Sequence, residues 1–273
     1  MNEQPTGRPE WAPEDVNIDV PSAARVYDYF LGGAHNFAVD RALADEIARM
    51  TPDVGDTMRA NREFLRRVVR FLAAAGIRQF LDIGSGIPTV GNVHEIAQAA
   101  APDARIVYVD IDPVAVAHSQ AILAGNDRAA ALQGDVRQVA EILAAPELKD
   151  LLDLSQPVAV LLAGILHFVP DSDDPAGIVG RLAEAVPPGS YVVISNATYE
   201  DQPPEVLEAQ KLSGRTATEI VLRSRAQLLD QFRGFRLVEP GLVHLPLWRP
   251  DSPADVGDRP ERFGAFGGVG RKE

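Results

Sequence analysis

The sequence predicts an α/β fold built around a mostly parallel, Rossmann-like sheet. From residue 78 onward, short apolar runs alternate with helical stretches, and the first run, Gln79–Ile83, ends directly in Gly84-Ser85-Gly86. Strands that alternate with helices of this length form right-handed βαβ units, so they lie parallel in one sheet. An apolar run followed by paired glycines indicates a buried strand that turns sharply at its carboxyl end. Ligands of open α/β sheets bind in the crevice beyond that end.

The composition is typical of a globular protein with a small molecule or a protein as its partner. The chain has 273 residues, of which 46% are hydrophobic and 24% charged, and its formal net charge is −13. Sequence-independent binding to nucleic acid or anionic lipid needs clustered Lys and Arg, which this balance does not favour. The absence of cysteine excludes disulfides, thiolate metal sites and cysteine nucleophiles. No apolar run approaches the ~20 residues that span a bilayer, and the polar start lacks a signal-peptide core, so we expect a cytoplasmic protein.

The first 77 residues are predicted to form an arm and a helical cap. Residues 1–20 carry prolines and scattered charge, so we expect a flexible arm, which Trp11 and Ile18 could dock on the body. Residues 21–77 contain three stretches whose apolar side chains recur with helical spacing. Because these stretches precede the first strand, we expect a cap or lid that does not fold by itself.

Residues 78–273 are predicted to form the core that carries the sheet. The candidate strands are Gln79–Ile83, Arg105–Asp110, Ala129–Gln133, Pro157–Ala163, Ser190–Ser195, Phe235–Glu239 and Gly264–Gly270. The candidate helices between the first five are Asn92–Ala101, Pro113–Ala124, Val136–Leu143 and Pro175–Val186. An insertion at about 196–225 follows the fifth strand, with helical patterns at Pro203–Ser213 and Ala217–Leu222. The capping box Ser224–Gln227 then opens one more helix.

Glycines and acids follow the first four predicted strands in order. The four segments are Asp82–Gly86, Asp110–Asp112, Gly134–Val136 and Ala163–Phe168. An acid at the end of the second strand, here Asp110, lies where a ribose diol is usually bound, because a carboxylate accepts two hydroxyl protons. Asp112 precedes Pro113 and is predicted to cap the next helix.

The glycine turn also indicates which nucleotide it binds. A dinucleotide fingerprint is G-x-G-x-x-G, and the position of its third glycine is Thr89 in this chain. Asp82 would repel a pyrophosphate but would suit an ammonium or sulfonium. This favours a nucleoside that carries positive charge over NAD. A nicotinamide-dependent oxidoreductase and a non-catalytic binding module remain as alternatives.

The ordered strand-end motifs resemble those of the class I S-adenosylmethionine-dependent methyltransferases. Ser22–Asp40, the Asn61-Arg62 pair and Gly267–Lys272 resemble one branch, the actinobacterial S-adenosyl methyltransferase family. The resemblance spans roughly Ser22 to Lys272. It implies a seven-stranded sheet whose last strand runs antiparallel, S-adenosylmethionine as cofactor, S-adenosylhomocysteine as product, and a small-molecule acceptor.

The resemblance implies roles for the residues after the first two strands. The floor under the methionine portion would be formed by Gly84, Ser85 and Gly86. Asp82 would lie near the amino group, although it could simply cap the turn. Asp110 would take the ribose hydroxyls, and Ile111 would pack on the adenine.

The resemblance also implies roles for the residues after the third and fourth strands. Asp135 would accept from the adenine amino group, with Val136 beside the ring, although Asp135 alone could be an ordinary turn residue. Ala163 and Gly164 would border the methyl donor.

Candidate catalytic and ligand-closing residues lie near these motifs. His167 could take a proton from an acceptor hydroxyl or amine, or be a satisfied core histidine. Tyr199, after the fifth strand, is a second candidate for catalysis. The amides of Asn36 and Asn61 could close over a ligand. The five histidines show no metal-ligand spacing such as H-E-x-x-H, so no metal site is predicted.

Arginines of the predicted insertion allow two interpretations. Arg215, Arg223 and Arg225 could hold an acidic substrate or form a solvated surface. The acceptor pocket is expected between the cap, His167 and the insertion.

Overall fold

A mixed sheet of eight strands organises the protein. The computed structural model describes residues 8, 9, 11–14, 16–89, 91–203, 206 and 220–273. The strands are β1 (Gln79–Ile83), β2 (Arg105–Asp110), β3 (Ala129–Gln133), β4 (Ala159–Ala163), β5 (Tyr191–Ala197), β6 (Arg236–Leu237), β7 (Val243–His244) and β8 (Ala265–Arg271). Their order is β3-β2-β1-β4-β5-β8-β6, with β7 also paired to β8. β1 to β5 are parallel and the rest antiparallel, which confirms the predicted fold class.

The edge beside β8 explains why the sheet has one strand more than predicted. The predicted sixth strand, Phe235–Glu239, is realised as the shorter β6, and β7, which follows it, was not predicted. β6 and β7 pair with opposite ends of β8. The chain turns between them at Gly241, whose φ is +87°. β8 itself contains three glycines, and a Cβ at Gly267 would lie 2.8 Å from the Phe64 ring. Strand glycine therefore permits close packing of aromatic side chains on this face.

Helices cover the sheet on both faces. They are α1 (Ala23–Phe30), α2 (Ala38–Met50), α3 (Val54–Ala74), α4 (Val93–Ala100), α5 (Pro113–Ile122), α6 (Val139–Ala144), α7 (Pro146–Leu151), α8 (Pro175–Ala185) and α9 (Arg225–Asp230). The predicted caps are confirmed: Asp112 accepts from the N–H of Val114 at 2.8 Å, and Ser224 forms its capping box with Gln227. The helical predictions at Pro203–Ser213 and Ala217–Leu222 lie largely outside the described residues.

The last helix of the predicted cap belongs to the core. Phe64, Val68 and Leu72 of α3 are fully buried and share one apolar cluster with Phe80 of β1 and Val193 of β5. α3 is therefore one of the helices that cover the sheet. This places the residues of its exposed turns close to the carboxyl ends of the strands.

The N-terminal arm packs against the body where the structure describes it. Ala12 and Val16 are buried in a small apolar cluster with Phe37, and Trp11 stacks on the Phe37 ring at 5.1 Å. Ile18 borders the same cluster. Apolar burial therefore docks Trp11, Ala12, Val16 and Ile18 of the arm that the sequence predicted to be flexible.

A buried ion-pair network joins the cap to the second strand turn. Arg25 of α1 contacts Asp40 of α2 at 2.9 Å and Asp112 at 3.1 Å. All three side chains are almost fully buried.

In the described part of the chain, no helix is long and apolar enough to cross a membrane.

Candidate functional site

The turn after β1 is shaped by two glycines in the left-handed region. The N–H groups of Gly84 and Ser85 both donate to the carbonyl of Val109, at 2.8 and 3.2 Å. A Cβ at Gly84, where φ is +75°, would lie 2.6 Å from the Ile165 side chain. Gly86, where φ is +69°, has no atom within 4 Å of its Cβ position. Gly84 therefore serves packing, whereas Gly86 presents bare backbone to open space, as a cofactor cradle requires.

Asp110 at the end of β2 ties two turns together. Its Oδ2 accepts from the N–H of Gly86 at 2.7 Å, and its Oδ1 accepts from the N–H of Asp112 at 2.9 Å. Burial raises the pKa of Asp110 to about 6, and these two backbone hydrogen bonds act in the opposite direction. Because each carboxylate oxygen has a second lone pair, Asp110 can hold both turns and still accept ribose hydroxyls.

Asp82 of β1 is a buried carboxylate with no hydrogen bond to any described residue. It is 4% exposed and lines a small cavity together with Ser85, Gly86 and Arg62. Burial raises the pKa of Asp82 to about 7, the positive charge of Arg62 lowers it, and Asp110 raises it. An unpaired buried carboxylate is costly unless a ligand supplies its partner. The site thus has an acceptor ready for a ligand ammonium.

Arg62 is a functional residue that sequence reasoning did not assign. It lies on α3, and its guanidinium donates to the carbonyl of Gly91 at 3.3 Å beside the cavity that Asp82 lines. Its neighbour Asn61 lines a different and larger cavity. The adjacent Asn61-Arg62 pair was the signal in the sequence, but only the placement of α3 over the strand ends shows that each residue faces a separate cavity.

The residues expected around the adenine differ in their surroundings. Ile111 is 55% exposed directly after β2, which suits a side chain that a ligand ring covers. Val136 is buried within the apolar core instead. The Asp135 carboxylate already accepts from the Arg137 Nε at 2.9 Å, and this contact lowers the pKa of Asp135. Asp135 can bind an adenine amino group only through the lone pairs that Arg137 leaves.

A larger cavity of about 240 Å³ lies between the helical cap and the carboxyl ends of β4 and β5. Its walls come from α1, α2 and α3, from the turn Leu166–Phe168, and from residues 195–198 of β5 and its extension. Gln202, Val206, Ile220 and Leu222 of the predicted insertion also line it, and residues 262–265 at the start of β8 add a C-terminal wall. The location agrees with the pocket expected from the sequence, but the C-terminal wall was not expected, because residues 262–265 lie roughly 200 positions beyond α3 in the sequence.

The cavity has one polar end beside Gly164. β4 ends at Ala163, which pairs with Ser195 of β5. A Cβ at Gly164 would lie 3.2 Å from Asn61 Nδ2. Asn61 Oδ1 accepts from the Ser195 hydroxyl at 2.6 Å, and its Nδ2 donates to the Tyr27 hydroxyl at 3.2 Å. An amide carries two N–H donors, so Asn61 retains one for a ligand.

His167 lies at the same polar end as a neutral imidazole. Its Cε1 is 3.9 Å from the Cβ position of Gly164. Burial and the positive charge of Arg223 lower the pKa of His167 to about 4, whereas the Asn196 side chain acts to raise it. Nδ1 of His167 and Oδ1 of Asn196 are both buried without a hydrogen-bond partner. His167 therefore presents an uncharged ring to the cavity.

The structure does not bring Asn36 or Tyr199 to either cavity. Asn36 Nδ2 donates to Asp28 at 2.9 Å and to the carbonyl of Gly33 at 3.0 Å, while its Oδ1 accepts from Arg41. The amide is thus used to close the loop between α1 and α2. Tyr199 is 37% exposed and lines neither cavity.

Arg223 is neither a solvated residue nor free to bind an acidic substrate. It is 2% exposed and donates to the carbonyls of Leu166 and Val169 at 2.8 and 2.6 Å. It also pairs with Asp171 at 2.8 Å. These bonds fix the turn that carries His167. Arg225 donates to the carbonyl of Leu242, and Arg215 lies outside the described residues.

The donor set fits a cationic nucleoside, not a metal. Within the described ranges, no group of three or more His, Asp or Glu side chains could hold a metal ion. The unpaired Asp82 instead matches a ligand ammonium. The open face of Gly86 matches a ligand chain that passes over the backbone, and the exposed Ile111 matches a flat ring.

Comparisons with known proteins agree on one family. A family model described as S-adenosyl methyltransferase matches residues 9–273. The crystal structure of a DUF574 family protein from Streptomyces avermitilis is 44% identical, with a TM-score of 0.90, over 94% of this chain and 100% of that one. A candidate methyltransferase from Thermobifida fusca is 40% identical, with a TM-score of 0.91, over 97% of this chain and 100% of that one.

More distant relatives show the fold alone. An O-methyltransferase family protein from Burkholderia thailandensis is 14% identical, with a TM-score of 0.52, over 83% of this chain and 62% of that one. No protein among those with curated functions matches the chain.

Proposed function

The chain belongs to the S-adenosyl methyltransferase family, and we propose that the methyl donor lies over the glycine turn with its amino-acid end at the small cavity, while the larger cavity holds a small-molecule acceptor. The protein is an S-adenosylmethionine-dependent methyltransferase. The family model and the Thermobifida fusca structure point to a methyltransferase, which disfavours a nicotinamide-dependent oxidoreductase. The observation that carries the proposal is the unpaired, buried carboxylate of Asp82 beside the open backbone of Gly86.

The donor seat is assigned to residues on α3, β1 and β2 and in the turns after β2 and β3. Asp82 accepts from the amino group of the methionine portion, and Arg62 binds its carboxylate, since both line the same small cavity. Asp110 accepts the ribose hydroxyls, and the exposed Ile111 packs on the adenine. Asp135 retains its hydrogen bond from Arg137 and accepts from the adenine amino group through a remaining lone pair.

The protein residues supply alignment and exclusion of water. When bound, S-adenosylmethionine supplies a methyl group that is activated by a positively charged sulfur. The apolar cap helices cover the cavity and keep bulk water from the acceptor, and Gly164 leaves space where donor and acceptor meet. Holding two reactants in line contributes a large part of such a rate enhancement.

His167 orients the acceptor, and the proton that the acceptor loses on methylation passes through its Nε2 to solvent, because His167 is too weak a base to retain it. General-base catalysis is most effective when the pKa of the base is near the working pH. Because the pKa of His167 is lowered to about 4, its imidazole is a weak base at neutral pH. A neutral Nε2 still accepts a hydrogen bond, which directs a lone pair of the acceptor atom toward Gly164. Tyr199 has no role in this proposal.

Isothermal titration with S-adenosylhomocysteine tests the donor seat. The wild type should bind S-adenosylhomocysteine and not NAD, and Asp110→Ala should weaken binding by roughly tenfold to a hundredfold because hydrogen bonds to a charged group are lost. Asp103→Ala, which removes an exposed carboxylate, is the matched control. Unchanged affinity of Asp110→Ala would remove Asp110 from the site. A cytoplasmic location and the absence of nucleic-acid binding stay predictions of the composition.

A further inference from the structure

The walls of the larger cavity are mostly hydrocarbon. Its described lining includes three aromatic rings and two thioethers, from Phe30, Phe168, Phe263, Met50 and Met58. Aromatic rings and methionine sulfur favour contact with other aromatic rings. The lining therefore selects a flat, apolar body.

The cavity accommodates a body of about two fused rings. An apolar cavity of about 150 Å³ holds one benzene ring. The present cavity measures about 240 Å³, which leaves room for a second ring.

The described lining offers no free charge. Arg262 is the one charged side chain among the described lining residues, and it is already paired with Asp53 at 3.0 Å and Asp56 at 3.3 Å. A charged ligand would lose its hydration without gaining a partner, which is costly in an apolar site. The cavity therefore selects a neutral ligand.

The polar end of the cavity matches a ligand group that both donates and accepts hydrogen bonds. Asn61 retains an amide N–H, and the neutral ring of His167 carries one N–H and one acceptor nitrogen; both residues lie next to Gly164. A hydroxyl satisfies both because it carries one donor and two lone pairs. Phenolic hydroxyls, with a pKa of about 10, are neutral at pH 7, whereas alkyl amines, with a pKa of about 10.4, enter as cations.

We propose that the acceptor is a neutral aromatic compound of about two rings that carries one hydroxyl, which accepts from Asn61 and donates to His167. This inference rests on the proposed function, because it takes the larger cavity as the acceptor site.

Four naphthalene probes separate the claims by isothermal titration into protein saturated with S-adenosylhomocysteine. The probes are 2-naphthol, naphthalene, the anion 2-naphthoate and the cation 2-(aminomethyl)naphthalene. We expect 2-naphthol to bind best, with the two charged probes weaker by about tenfold or more, because the described lining offers them no partner. Naphthalene should bind about three- to tenfold less tightly, because it lacks the hydroxyl.

A pair of tryptophan variants locates the binding. Ile47 lines the cavity on α2, so Ile47→Trp should fill it and weaken 2-naphthol binding by about tenfold, as expected for displaced apolar contact. Leu229 is exposed on α9 outside the cavity, so Leu229→Trp should leave binding unchanged. Both variants should keep their affinity for S-adenosylhomocysteine, which shows that they fold.

Two results would overturn the inference: a charged probe that binds as tightly as 2-naphthol, or Ile47→Trp with unchanged affinity. Failure of S-adenosylhomocysteine to bind would instead contradict the donor seat. In that case, titration of the four probes into the free protein still determines which chemical class of ligand the cavity binds.

Discussion

The backbone N–H of Gly86 donates a 2.7 Å hydrogen bond to the side chain of Asp110. One carboxylate thereby sets the glycine turn after β1 against the turn after β2, where it also accepts from Asp112. Both turns border the proposed donor seat. Asp110 thus joins the two turns, and the hydrogen bonds of Gly84 and Ser85 to the carbonyl of Val109 also hold the glycine turn.

The two glycines of the turn should respond differently to the same substitution. Gly86→Ala should cost about 1–2 kcal/mol of unfolding free energy for its left-handed backbone and should abolish S-adenosylhomocysteine binding. Gly84→Ala should cost about 1–3 kcal/mol more, because its Cβ would overlap Ile165. Urea unfolding measures both values. Equal stabilities of the two variants would contradict the packing role of Gly84.

Binding of S-adenosylhomocysteine should release protons near neutral pH. Burial raises the pKa of Asp82 to about 7, so part of the free protein carries a proton on this carboxyl at pH 7 and below. A ligand ammonium pairs with the ionised form and displaces that proton, so affinity should rise with pH up to about 7 and then level off.

Titration calorimetry at about pH 6.5 in two buffers of different ionisation enthalpy measures the released protons. Asp82→Asn should remove most of the release, and the remainder comes from Asp110, whose pKa is raised to about 6. Proton release that is unchanged in Asp82→Asn would contradict the pairing.

His167 should remain neutral throughout the physiological pH range. Its pKa of about 4 predicts that its ring resonances, identified by their loss in His167→Gln, titrate below pH 5 in an NMR series. The same variant should keep its affinity for S-adenosylhomocysteine but bind 2-naphthol about three- to tenfold less tightly, since one hydrogen bond is lost. A midpoint near the ordinary value of about 6.5 would rule out the buried, neutral state.

Arg223 should contribute to the free energy of unfolding. Arg223→Met leaves the buried carbonyls of Leu166 and Val169 without their donor, so we expect a loss of about 3 kcal/mol in unfolding free energy. Arg233→Met removes an exposed pair with Asp230 and should cost less than about 1 kcal/mol. If the two variants prove equally stable, Arg223 does not fix the His167 turn.

The sequence was most informative where local chemistry determines structure. Apolar runs that end at glycine or acid located β1 and β2 at the observed bounds, and Pro113 after Asp112 marked a true helix start. α7 was missed because it has six residues and begins at Pro146, a residue that equally marks a loop. β7 was missed because its two residues form too short a pattern to indicate a strand.

Contacts between distant segments were beyond prediction. Arg62 could be recognised beside Asp82 only once the packing of α3 on β1 was known. The burial of Arg223 depends on carbonyls more than 50 positions earlier, which leave no mark in its local sequence. Residues 262–265 likewise line the larger cavity through contacts with segments that are distant in the sequence.

The central claim is that Asp82 and Arg62 hold the amino-acid end of the donor, whereas Asp110 holds its ribose. Its most direct test compares S-adenosylhomocysteine with 5′-methylthioadenosine, which lacks that amino-acid end, by titration into Asp82→Asn, Arg62→Met and Asp110→Ala. The account predicts that Asp82→Asn and Arg62→Met weaken only S-adenosylhomocysteine, by about tenfold or more, as expected for a lost charged hydrogen bond. Asp110→Ala should weaken both ligands equally. Equal losses for both ligands in Asp82→Asn would contradict the account.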